Sequence, residues 1–176
     1  MMCIKCRNKA VVSPKNLGSF CSNCFLIILE KRIRKDLAIN KVFSPHQSVL
    51  VIDDRSVKSK LTIYFLNNIS KNIPLKIDFK KTKPKKKYDK IVTPNNLDND
   101  IITFLESLLT TSKPVFNKKE VHLLRTVSDE ELLLAARLLK IKASFKKSKL
   151  NKVLDSLESR YPGSKFGLFN SIKELE

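Results

Sequence analysis

Four cysteines lie within the first twenty-four residues, as Cys3-Ile4-Lys5-Cys6 and, after fourteen intervening residues, Cys21-Ser22-Asn23-Cys24, and the chain has no others. A Cys-x-x-Cys turn aims two thiolates at one point, and two such turns at this separation match the ligand set of a tetrahedral metal site. The alternatives for the same residues are two disulfides or unpaired core thiols. No secretory signal precedes Cys3, so the expected compartment is reducing and cytoplasmic. The expected cofactor is therefore Zn²⁺ on Cys3, Cys6, Cys21 and Cys24. It would be structural, because four thiolates leave no coordination position for a substrate. The segment between the knuckles, Ala10-Val11-Val12 to Gly18-Ser19-Phe20, is predicted to form a short hairpin turned by Ser13-Pro14-Lys15 and Leu17-Gly18.

A chain of 176 residues has room for one ordinary domain and a small module. No apolar run reaches the length of a membrane span, and no membrane partner is expected. Thirty-five Lys and Arg against seventeen Asp and Glu give a net charge of +18, which calls for an anionic partner, RNA being the commonest. Residues 1–90 carry +15 of this charge and residues 91–176 only +3, so the basic half is the candidate contact surface. A lysine-rich genome would explain scattered lysines, but it explains this asymmetry less well.

Along the chain, apolar positions 25, 26, 29, 33 and 37 recur at helical spacing, predicting a helix over 22–39. Lys31, Arg32, Arg34 and Lys35 crowd its last turns, where they suit both the helix dipole and an RNA phosphate. Ser48-Val49-Leu50-Val51-Ile52 reads as a buried strand of a parallel sheet. A polar turn follows, Asp53-Asp54-Arg55-Ser56-Val57-Lys58-Ser59, and then a helix over 60–70. Strand, polar turn and helix form the frame of a phosphate-binding loop. The glycines that let such a backbone approach a phosphate are missing, and Asp53 and Asp54 would repel one. Further strands are predicted over 74–79 and 88–93. Between them Lys81, Lys83, Lys85, Lys86 and Lys87 form a loop that reads as a phosphate-tracking finger or, on a plainer view, a solubilising one. Asn95-Asn96-Leu97-Asp98 caps a further helix. Lys113-Pro114-Val115 opens a last part that is helical throughout, over 117–126, 128–140, 148–160 and 168–175, with Ser128 and Glu131 as a capping box. Leu132, Leu133, Leu134, Leu138 and Leu139 are too many for one helix face, so Leu134 and Leu138 are expected to meet a partner. His46, in a turn, and His122, in a helix, read as structural. No nucleophile–base or paired-carboxylate constellation is visible, so the expectation is a non-enzyme.

Taken in order, these motifs resemble the tRNA 2-thiolation proteins of the N-type ATP pyrophosphatase superfamily. The family's SGGKDS loop falls on Asp54-Arg55-Ser56-Val57-Lys58-Ser59, where only Ser59 survives. Its HNLDD is similar to Asn95-Asn96-Leu97-Asp98-Asn99, and its closing LE..YPG to Leu157-Glu158 and Tyr161-Pro162-Gly163. The resemblance implies an α/β fold: a zinc-ribbon-like module and basic helix over 1–40, a reduced Rossmann-like domain over 41–112 and a helical part over 113–176. With the loop degenerate and the family's further cysteines absent, it also implies a non-catalytic subunit, a pseudoenzyme. That subunit would bind tRNA and a catalytic thiolation partner as a heterodimer, in support of 2-thiolation of the wobble uridine. The other readings of the same residues are a free-standing zinc-ribbon RNA-binding protein and an active adenylating enzyme with an unusual loop.

Overall fold

A computed structural model describes residues 1–15, 17–82, 87–110, 119–145 and 147–174. Strand β1 (Ser48–Ile52) is the centre of the fold, because Val49, Leu50 and Val51 are all fully buried. A strand buried on both faces must have helices above and below it. It pairs in parallel with β2 (Lys76–Lys80) on one side and β3 (Lys90–Asn96) on the other, and β3 pairs in parallel with β4 (Glu120–Leu124), giving the order β2-β1-β3-β4. Helix α1 (Ser22–Ile39), α2 (Val57–Ser70) and α4 (Asp129–Leu138) share the main core with the sheet, through Phe25, Leu29, Ile33, Leu61, Phe65 and Leu132. Helix α3 (Leu97–Leu109), α5 (Lys149–Arg160) and α6 (Ser164–Lys173) close a second, smaller core around Leu97, Ile101, Leu154, Phe169 and Ile172.

The predicted bounds of α1 and β1 coincide with the observed ones. The capping box at Ser128 is formed, with Glu131 bonding back to the Ser128 N–H at 3.0 Å. Residues 81–89 link β2 to β3, which flank β1 from opposite sides and are not neighbours of each other. One helix expectation is corrected. Residues 120–124 form β4 and not part of a helix over 117–126, because Val121 and Leu123 alternate inward onto the sheet while His122 faces the other way. The run Glu-Val-His-Leu-Leu fits either period, and only the open edge of β3 decides it. Leu134 and Leu138 are both half-buried and pack against the main core. The residues Lys113-Pro114-Val115 lie outside those described.

Among the described residues, no helix is long and apolar enough to cross a membrane.

Candidate functional site

The second knuckle is built on a helix end. Cys21 is the N-cap of α1 and Cys24 lies in its first turn, with Phe25 N–H donating to the Cys21 carbonyl at 3.1 Å. A helix N-terminus favours thiolate over thiol. The first knuckle is a tight turn in which Arg7 N–H donates to the Cys3 carbonyl at 2.9 Å, and Arg7 takes the left-handed conformation at φ 61°. The hairpin joins the two knuckles: Phe20 N–H donates to Val12 O at 2.8 Å, and Ile4 N–H to Ser19 O at 3.0 Å. Gly18, at φ 89°, lets the turn pass so close to Ile4 that an added Cβ would meet the Ile4 side chain at 3.1 Å. Val12, Phe20 and Cys3 are buried with α1, so the module and the main core are one packed unit.

The four Cys Sγ atoms all lie within 4.8 Å of one another, and Cys6 and Cys21 approach to 3.5 Å. Metal–sulfur bonds of about 2.3 Å at tetrahedral angles put sulfurs roughly 3.8 Å apart, so the donor set fits one ion. Burial pushes Cys3 up, but hydrogen bonds from the backbone of Cys21, Cys6 and Lys5 outweigh it and bring the thiol down to about 6. The Cys6 sulfur, with burial, pushes Cys24 up to about 12. Sulfurs this crowded cannot all ionise unless a cation sits among them. The four cysteines form a metal-binding group.

A second feature lies at the C-terminal ends of β1 and β3. The chain leaves these neighbouring strands in opposite directions there, which opens the crevice where doubly wound sheets place their ligands. The turn of residues 53–56, which leads into α2 at Val57, is closed by its own side chains and by Ser59. Arg55 N–H donates to Asp53 Oδ1 at 2.9 Å, and Ser56 N–H to Asp54 Oδ1 at 2.9 Å. Ser59 is fully buried and donates its hydroxyl to Asp53 Oδ1 at 2.8 Å. Burial pushes Asp54 up, but the Ser56 hydroxyl and N–H outweigh it and hold this carboxyl below its ordinary 3.8. Arg55 sits at φ 63°, a left-handed conformation that glycine adopts without cost. The Lys58 ammonium lies across the crevice, bonded to Asn99 Oδ1 at 2.6 Å, Asn96 Oδ1 at 2.7 Å and Asp129 Oδ1 at 2.8 Å. An incoming phosphate would have to displace these carboxylates from the loop N–H groups.

The predicted RNA-contact residues separate into two sets. Lys31 and Lys35 are exposed on α1. Arg32 turns inward: its Nη1 meets both Glu131 oxygens, at 2.8 and 2.9 Å, and the Thr126 carbonyl at 3.1 Å, and its guanidinium stacks over Phe166. Arg34 bonds Glu30 at 2.8 Å and the Asn68 carbonyl at 2.8 Å. Lys81 and Lys87 are exposed, and Lys83, Lys85 and Lys86 lie outside the described residues. Sequence reasoning missed a polar cluster on the α3 side of β4. There His122 Nδ1 pairs with Asp100 at 2.7 Å, and Nε2 faces the Asn95 amide at 3.4 Å. Reading residues 117–126 as helix hid it, since only a strand sets His122 level with Thr93 and under α3.

No protein-family model matches the chain, and no curated protein matches it. Among solved structures it is similar to the U34-tRNA thiolase NcsA from Methanococcus maripaludis with its [4Fe-4S] cluster. The TM-score is 0.78 at 18% identity, over 99% of this chain and 87% of that one. The α/β fold of this chain is thus similar to that of the thiolase. This corrects the expectation of a non-enzyme. That expectation rested on the absence of a nucleophile–base or paired-carboxylate constellation and on the degenerate loop, yet the structure matched across nearly the whole chain is that of an enzyme.

Proposed function

We propose that this chain acts in thiolation of the wobble uridine of tRNA, holding the RNA on its basic N-terminal half and working beside a second chain of the thiolation machinery. The observation that carries this reading is the match of almost the whole chain to a U34-tRNA thiolase. The metal is Zn²⁺. Four sulfurs within 4.8 Å of one another suit a single ion, and an all-thiolate set with no open position is the chemistry of structural zinc. The ion fixes the knuckles against the N-terminus of α1 and so sets where Lys31 and Lys35 stand. These two lysines, with Lys81, Lys83, Lys85, Lys86 and Lys87, contact phosphate. Arg32 and Arg34 support that surface from within through Glu131 and Glu30.

Two measurements test the reading. Cells lacking the chain should lose 2-thiouridine at the wobble position, measured by mass spectrometry of digested tRNA; unchanged 2-thiouridine would refute it. In vitro, affinity for tRNA should fall steeply with salt as counterions are released. Replacing Lys85, Lys86 and Lys87 by alanine should weaken binding across all tRNAs and reduce the log–log salt slope by about three, one per lost phosphate contact. An unchanged slope would remove the lysine loop from the RNA surface.

A further inference from the structure

Helices α1 and α2 lie side by side, and between them runs an open groove of about 310 Å³. Leu26 and Ile27 line it beside Arg34, Tyr64 and Asn68, with Asn23, Lys71 and Asn72 completing it. The groove is pre-formed. The Arg34 guanidinium bridges the helices, bonding Glu30 on its own helix and the Asn68 carbonyl on the other, both at 2.8 Å. Tyr64 is held edge-on against the fully buried Phe65, with ring centroids 5.2 Å apart at 79°. Lys71 Nζ is steered by Asn68 Oδ1 at 3.3 Å. Among the described residues, the Tyr64 hydroxyl and the side-chain amides of Asn23 and Asn72 have no protein hydrogen-bond partner. Glu30 is neutralised by Arg34, which leaves Lys71 as the uncompensated charge of the lining. On α1, Lys31 follows Ile27 by one turn, so the exposed Lys31–Lys35 row borders the groove.

A half-exposed aromatic ring, amides offering both donors and acceptors, and a cation at one end form the chemistry that recognises an unstacked base and its phosphate. The volume lies at the small end of ligand pockets, which run roughly 300–1,000 Å³, and it suits one nucleoside and no duplex. We propose that this groove takes a single unpaired nucleoside of bound RNA, with the base against Tyr64, its edge on the Asn23 and Asn72 amides, and its phosphate on Lys71. The inference rests on the reading of this chain as an RNA-binding protein and adds to it a preference for single-stranded RNA.

The test compares a fluorescently labelled short oligouridylate with a blunt RNA duplex, measured by anisotropy on the full chain loaded with zinc. The wild type should bind both. Tyr64→Ala should weaken the oligouridylate about 5- to 160-fold, the range found for removing one base–aromatic stack, and leave the duplex unchanged, whereas Tyr64→Phe should keep most of the single-strand affinity. Asn72→Asp, at an exposed position, should also weaken the oligouridylate alone, because the carboxylate loses the amide donor to the base edge and offsets the charge of the neighbouring Lys71 that holds the phosphate. If folded Tyr64→Ala and Asn72→Asp bind the oligouridylate like wild type, the groove proposal is overturned, as it is if both variants weaken single strand and duplex equally. A wild type that binds neither RNA overturns the RNA-binding reading itself.

Discussion

Replacing Cys21 with serine is expected to cost this protein its N-terminal module and much of its stability. The purified wild type should carry about one zinc per chain by plasma mass spectrometry, and the variant should carry far less. The four sulfurs are drawn within 4.8 Å by two knuckles, and the module between them is too small to hold itself together without the ion. Metal-binding free energy is folding free energy in such a unit. The loss should spread, because Cys3, Val12 and Phe20 belong to the same core as Phe25 and Leu29 of α1. The expected fall in Tm is on the order of 10 °C or more, both for the variant and for wild type treated with a strong chelator. A metal-free wild type that melts unchanged would defeat this prediction. A protein absorbing in the visible with bound iron would replace zinc by a cluster.

The second large effect is expected far from the cysteines, at Lys165. Its ammonium is buried on α6, bonded to the Asp98 carboxylate on α3 and at 2.7 Å to Asp155 on α5, so one cation ties three helices together. Asp98 Oδ2 also accepts the Asp129 N–H at 2.7 Å at the start of α4. Lys165→Met keeps the apolar stem and removes the charge. It strands a carboxylate that is 1% exposed, at a cost of about 3–5 kcal/mol. Burial, with Asp129 adding to it, already pushes Asp98 above its ordinary 3.8, against the pull of Lys165. Without Lys165 the carboxyl rises further. The folded variant then holds a proton that the unfolded chain has released, so its stability falls as pH rises through that window. Acidification should therefore narrow the gap between variant and wild type, and Asp98→Asn in the same chain should recover part of the loss at neutral pH. Urea titrations at two pH values measure both. A gap that widens on acidification would show that Asp98 is not the stranded group.

The parts of this fold that were legible in the sequence are those where one period dominates. Helix α1 repeats its apolar residues over five turns, and β1 is an uninterrupted apolar run, so the bounds of both follow from local pattern alone. The cysteine site was legible because ligand spacing is a local property. Strand β4 was not, since Val121-His122-Leu123-Leu124 suits a helix until the open edge of β3 is known. Nor was the inward role of Arg32, whose partner Glu131 lies 99 residues away and is joined to it only by the tertiary fold. Lys58 reads in sequence as a basic residue inside a degenerate loop. The structure makes it the cation that Asn96, Asn99 and Asp129 share, a role set by three different elements.

The order in which these contacts become possible during synthesis follows from one of them. Asp36 of α1 accepts from Lys173 of α6 at 3.1 Å, across 137 residues of chain. At a translation rate of about 5–20 residues per second, α1 leaves the ribosome roughly 7–27 s before that partner exists. The metal knuckles need only residues 3–24 and can close at once, pinning the N-terminal end of the helix. Its buried row of Phe25, Leu29, Ile33 and Leu37 must wait for the sheet and α4. Over those seconds the nascent chain presents a pinned helix with a naked apolar face, the kind of surface that chaperones hold. Metal supply and chaperone capacity should therefore limit the yield of this protein at the same stage of synthesis, before α6 has been made.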